Sequence, residues 1–310
     1  MTTPESENLE ARREALFEKL DLKGQYEAQL KVLNEAGVLE ILPESQEMGI
    51  VGIDGKEHPI PTLKEIKDEI DRNLYVIEDK SEQGFTKLLL VPHAVPLDVL
   101  IERYEQLLTS KHREGLLKNP DGSSLDLREK DPVFVQQNVR DAEKKGSAMY
   151  YPDDENHYVR AATKKKMLAL GEFWEMMLVE PEASIPEPGE GETKGKRKQL
   201  EKGLENAESY RKRLQDDGGW VEHRHETGLT LEAWLALAMS SLVENNTQID
   251  TVDSSSHSFA ANVTPGTSIK AASGVKYPTA YCSVKKRQVM LSMVDVNSSE
   301  KISVRMSVRI

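Results

Sequence analysis

The sequence predicts a protein of the α+β class, on three observations. Amphipathic helical patterns recur from residue 5 to about 245, then vanish after Asp250, where serine, glycine and proline punctuate short runs. Two continuous apolar runs, 85–91 (FTKLLLV) and 173–179 (FWEMMLV), have strand length rather than helix length. The chain closes on strict alternation, with Val304, Met306, Val308 and Ile310 on one side and Ser303, Arg305, Ser307 and Arg309 on the other. No repeat of fixed period is present.

In chain order, residues 5–37 read as a helical hairpin. Leu9, Leu16, Phe17 and Leu20 share one face and Tyr26, Leu30, Leu33 and Ala36 another, with Gly24 between the helices and Gly37 as the closing cap. Ile50, Val51 and Ile53 lead into Asp54 and Gly55, a dipeptide suited to a tight hairpin turn. Thr62 and Glu65 have capping-box spacing at the start of a helix whose apolar positions are Leu63, Ile66, Ile70 and Leu74. Run 85–91 follows as a buried strand. Pro96 then opens a helix with Leu97, Leu100, Ile101, Tyr104, Leu107 and Leu108 inward. A loop is expected at 119–124, a short strand at 132–135 and a break at 150–154.

The second half begins with a helix over 160–171, with Lys164, Lys165 and Lys166 on its wet side, and continues into the strand at 173–179. Residues 181–196 have linker composition, and a polar helix is expected over 197–214. Thr230 is the expected N-cap of a helix ending near Asn245, with Leu231, Trp234, Leu235, Ala238 and Leu242 inward. The expected division is an accessory helical and α/β domain over 1–155 and a second domain over 156–310.

Charge and composition exclude several classes. Net charge is -12 and charged residues make up 30% of the chain, an acidic balance that disfavours nucleic acid and anionic membranes. Residues 251–310 run against it, with eight basic and three acidic side chains. That basic end either favours an acidic ligand or docks on the acidic body. No apolar run approaches a membrane span, and the N-terminus lacks the pattern of a secretory signal. A cytoplasmic location is expected. Cys282 is the single cysteine, so no internal disulfide can form.

Motifs for chemistry fail on spacing. In 189–197 (GEGETKGKR), Gly195 and Lys196 are followed by Arg197 and preceded, five positions earlier, by Glu190, so neither end of a phosphate loop is met. His223 and His225 are two apart, which suits a strand but not a helical metal site, and the other histidines are scattered. No nucleophile elbow is present. Cys282 is either a thiol activated by Lys285 and Lys286 or a small core residue. The expectation is no enzyme, no cofactor and no metal. What remains is a polar surface rich in Tyr, Ser, Asn and Lys on a framed β scaffold, with the composition of a paratope.

Leu229, Thr230, Glu232 and Trp234, then Tyr281, Ser283, Arg287, Gln288 and Leu291, and then Ser303, Val304, Arg305, Val308 and Arg309 form a pattern. It resembles the C-terminal half of C-type-lectin-fold domains related to the formylglycine-generating enzymes. It is most similar to the variable target proteins of bacterial and phage diversity-generating retroelements. The resemblance spans about the last 80 residues. It implies a C-type-lectin-like domain over 156–310, ending in a β-strand, that displays a surface diversified at adenine-containing codons. Ser303 replaces the usual glycine and Cys282 a common tryptophan, and the cysteine pair of formylglycine chemistry and the calcium-binding triplets of lectins are absent.

The resulting expectation is a binding protein whose ligand is a protein, contacted by Tyr281, Ser283, Lys285, Lys286, Met290, Ser292, Asn297, Ser298 and Lys301. Arg305 and Arg309 hold the frame. The alternatives are an enzyme of the sulfatase-modifying-oxidase-like fold with other chemistry, and an assembly protein that forms homo-oligomers through its N-terminal helices.

Overall fold

A computed structural model describes residues 4–144, 149–152, 161–162, 164–184, 225–252, 261–263, 268–271, 274–295 and 302–310. It is α+β in class. Helices α1 (Pro4–Lys19) and α2 (Leu22–Glu35) form the expected hairpin. Its corner is Asp21, in the left-handed region at φ 45°, not Gly24, which lies inside α2. Gly24 leaves room for the Asp21 carboxylate, which a Cβ there would overlap. Leu16, Phe17, Leu20 and Leu33 are buried as expected, whereas Leu9 is exposed.

Strands β1 (Glu40–Ile41), β2 (Met48–Val51) and β3 (Glu57–Pro59) make a small antiparallel sheet. The tight turn expected at Asp54 and Gly55 is a longer loop, closed by the Gly52 N–H donating to Lys56 O at 2.9 Å; of the two residues only Gly55 has a positive φ. Asp54 bonds the His58 ring instead. Thr62 and Glu65 form the expected capping box on α3 (Leu63–Arg72), which hands over at Asn73 to α4 (Leu74–Glu82). Strand β4 (Lys87–Val91) is buried, and α5 (Leu97–Arg113) buries all six side chains assigned to its inner face.

After β5 (Val133–Val135) and α6 (Gln137–Lys144), the expected break at 150–154 is instead partly strand, β6 (Met149–Pro152), followed by β7 (Ala161–Ala162). Helix α7 (Lys164–Ala169) departs from expectation at its first residue. Lys164 is buried rather than wet, donating to Val95 O at 2.7 Å and lying 3.5 Å from Glu232 Oε1. The described parts then continue through β8 (Glu175–Val179), β9 (Thr227–Gly228), α8 (Leu231–Asn245), β10 (Thr251–Val252), β11 (Ala261–Val263), β12 (Ser268–Ala271), β13 (Gly274–Ser283), β14 (Gln288–Asp295), β15 (Ile302–Val304) and β16 (Met306–Arg309). The expected polar helix at 197–214 lies outside the described residues.

Two sheets enclose α8. One is antiparallel in the order β4-β8-β16-β9. The other is centred on β13, which pairs along eight residues with β14; β14 in turn carries β5 in parallel. Helix α8 touches α2, α5, β4 and β13. Residues 231–242 of α8 are all buried, and a helix apolar on every side belongs inside a core. Leu231, Trp234, Leu235, Leu237 and Leu242, at ~1.5–3 kcal/mol each, contribute roughly 10 kcal/mol before the entropy of ordering them.

The expected boundary at 155 does not divide two cores. Strand β4 from the first half is hydrogen-bonded to β8 from the second, and β5 to β14. One apolar cluster runs from Leu16 to Val308. Helix α8, encoded in the second half, packs on α2, α5 and β4 of the first.

The terminal alternation is also two strands. β15 belongs to the large sheet and β16 to the small one, and the chain changes sheet at Arg305. Arg305, Met306, Ser307 and Val308 are all buried, so both faces of this segment are covered.

Candidate binding site

The β13–β14 hairpin carries all six of the described residues expected to bind. Alternation sorts its side chains. Ala280, Cys282, Val289 and Leu291 belong to the main core. Thr279, Tyr281 and Ser283, with their cross-strand partners Ser292, Met290 and Gln288, make the opposite face. So Tyr281, Ser283, Met290 and Ser292 do share one surface, as expected. They are not exposed, however: Tyr281 retains 8% of its accessible area, Ser283 1% and Met290 6%. Val252 packs on Tyr281 and Met290. The Thr279 and Ser292 hydroxyls bond across the pair at 2.7 Å, with Ser292 half-buried. The expected exposure of Tyr281, Ser283 and Met290 is therefore corrected: β10 pairs alongside β13 in the same sheet, and its Val252 side chain covers Tyr281 and Met290. Asn297, Ser298 and Lys301 lie outside the described residues.

The row continues sideways. Phe134 of β5 is level with Met290 in the parallel ladder and is 43% exposed. Tyr281, Met290 and Phe134 thus form an apolar line that opens to water at its outer end.

The hairpin tip is the exposed part. Residues 284–287 form a four-residue turn, closed by Arg287 N–H to Val284 O at 3.1 Å, with Arg287 left-handed at φ 54°. The buried Ser283 hydroxyl accepts the Lys286 N–H at 3.2 Å. This local bond explains why a serine rather than a larger residue precedes the turn. Val284, Lys285 and Lys286 project into solvent.

Loop 126–132 fixes the tip from one side. Arg287 donates to Leu127 O at 3.0 Å and pairs with Asp126 at 2.7 Å. Arg128 N–H donates to Arg287 O, Gln288 Nε2 to Asp131 O at 2.7 Å, and Val289 N–H to Pro132 O. The Arg287 hydrogen bond holds the Asp126 carboxyl below its usual range. Arg287 is thereby committed to the frame. Among the described residues no carboxylate pairs with Lys285 or Lys286.

Two further residues of the basic end, Arg305 and Arg309, dock inward. Arg305 places Nε and Nη2 on the Asp250 carboxylate at 2.6–3.1 Å, donates through Nη1 to Glu182 O at 2.8 Å, and shares Asp250 with Trp234 Nε1. Arg309 pairs with Glu175 at 2.6 Å. For Arg305 and Arg309 the docking reading of the basic end holds.

Cys282 is fully buried, and burial pushes its thiol up to about 12. At neutral pH a negligible fraction is thiolate, so the activated-thiol alternative loses its nucleophile. Of the expected histidine cluster, His225 and Glu226 are described; Glu226 is buried against Lys80 at 2.8 Å.

A buried charged group was missed in the sequence. His93, at the end of β4, lies in the field of Glu232, Lys164 and Arg309, and burial lowers it to about 3. The pair Lys164 and Glu232 is 68 residues apart and Lys80 and Glu226 is 146 apart, so local spacing carries no sign of either. The one available cue is Glu232 in the first turn of an otherwise apolar helix.

No known protein family, characterised protein or solved structure matches the chain.

Proposed function

We propose that this protein is a non-covalent recognition module whose contact surface is the β13–β14 turn with the β5 edge beside it, and whose ligand is a protein. The observation that carries the reading is the contrast at the basic end. Arg287, Arg305 and Arg309 are committed to carboxylates of the body, while Lys285 and Lys286 are held out to solvent on a turn stapled by loop 126–132. A rigid turn with unengaged side chains binds without an ordering cost for the backbone.

The lectin-like relationship of 156–310, and diversification of its surface, belong to the same proposal. In support, the terminal strand β16 returns antiparallel onto β8 of the same half. Its test is genomic: a near-copy of the DNA for 281–310, differing mainly at adenines, beside a reverse transcriptase. Without such a copy the diversification part is abandoned.

A non-enzymatic role is supported by the inert Cys282. The recognition reading is tested by selecting displayed peptides on the intact chain, with counter-selection against Lys285→Ala/Lys286→Ala. Peptides that require the turn are expected. Ligands that bind both proteins equally would refute this placement of the site.

A further inference from the structure

We infer that the partner presents an acidic, extended segment, with an apolar residue seated on Phe134 and carboxylates on Lys285 and Lys286. This rests on the recognition reading and names the chemistry of that site. Three observations combine.

First, the tip is cationic on an acidic chain. The turn and the loop stapled to it expose Lys285, Lys286, Arg128 and Lys130, with Arg287 already matched by Asp126. Glu129 and Asp131 are the carboxylates left on this loop, so the local balance is positive where the chain as a whole carries -12. Complementary charge of this kind selects partners and speeds encounter.

Second, an apolar contact lies at a fixed distance. Phe134 is level with Met290, three positions along the strand direction from Arg287, the residue that directly follows Lys285 and Lys286. At ~3.4 Å per residue that separation is about 10 Å, the reach of three or four residues of an extended peptide. Val284 adds partly exposed apolar surface at the tip.

Third, the footprint is small and mixed. Nucleic acid would meet four exposed basic side chains interrupted by Glu129 and Asp131 rather than a continuous basic stripe. An acidic peptide with spaced apolar residues satisfies both parts of the surface.

The test uses fluorescence anisotropy on the full chain. The probes are a short labelled peptide of glutamates with interspersed leucines, its lysine counterpart, and a short single-stranded DNA. The glutamate peptide should bind and should weaken roughly tenfold in Lys285→Glu/Lys286→Glu. It should also weaken as NaCl rises from about 0.05 M to about 0.5 M. Phe134→Ser should weaken it without removing the salt dependence. Lys23→Glu/Lys31→Glu, on the remote and exposed face of α2, should leave it unchanged. No binding of the glutamate peptide, equal loss in the two double variants, or tighter binding of DNA overturns the inference. Peptides from the display selection that require the turn yet lack carboxylates would also overturn it, while sparing the recognition reading. Finding no turn-dependent peptide at all overturns both.

Discussion

Arg305→Met should destabilise the protein by about 3–5 kcal/mol, the range for removing one partner from a buried ion pair. The magnitude follows from what Asp250 loses. Its carboxylate takes the Arg305 guanidinium fork at 2.6–3.1 Å, in a site where the two side chains retain 6% and 4% of their area. The Trp234 donor at 2.8 Å remains but carries no charge. Asp250→Asn should cost a similar amount, because it leaves a buried guanidinium without its counter-charge; the left-handed backbone at φ 53° itself tolerates asparagine. The double variant removes both charges and should fall short of the sum by about 2–3 kcal/mol. Urea unfolding followed by circular dichroism, with unchanged m, measures each term. A loss below about 1 kcal/mol in Arg305→Met, the value of an exposed pair, would refute the reasoning. So would additivity in the double variant. Either result would mean that Arg305 does not clamp the point where the chain passes from one sheet to the other.

Further outcomes follow from single residues. His93 titrates near 6.5 when unfolded and at about 3 when folded, so the unfolded state binds the proton first and stability falls as pH drops from about 6.5 towards 3. The loss should reach about 2 kcal/mol between pH 7 and 5; His93→Gln should remove that share of the slope, and an unchanged slope would contradict it. With its thiol at about 12 against an ordinary 9.0, Cys282 should react with a thiol reagent about a thousandfold more slowly than a free cysteine until the chain unfolds; rapid labelling of folded protein would refute its burial. Thr62→Ala removes one half of the capping box and should cost about 1 kcal/mol in the same urea assay, against no measurable change if α3 needs no cap.

Much of the architecture was legible because it is local. Thr62 and Glu65 are three apart, and their bonds depend on nothing else. The inner face of α5 and the burial of β4 follow from apolar spacing alone. Pairings across the chain left no such trace. Lys164 looks like a wet lysine in a run of three until Glu232, 68 residues on, turns it inward. The division at 155 failed for the same reason: the partner of β4 is encoded beyond it. Tyr281, Ser283, Met290 and Ser292 alternate onto one face, but a two-residue period cannot say whether a side chain such as Val252, 29 residues before Tyr281, covers that face. Lys285 and Lys286 were recoverable because a turn between paired strands must project. Phe134, which completes the surface, was unrecognised because its neighbour Met290 lies more than 150 residues away.

The placement of the site is the central claim, and hydrogen exchange on the intact chain tests it most directly. Measured with and without a peptide selected on the turn, protection should rise in 126–135 and 284–291 and stay unchanged elsewhere. Protection centred instead on 93–95, 164–168 and 231–234, around His93, Lys164 and Glu232, would contradict the account and move the functional site to the buried charged group.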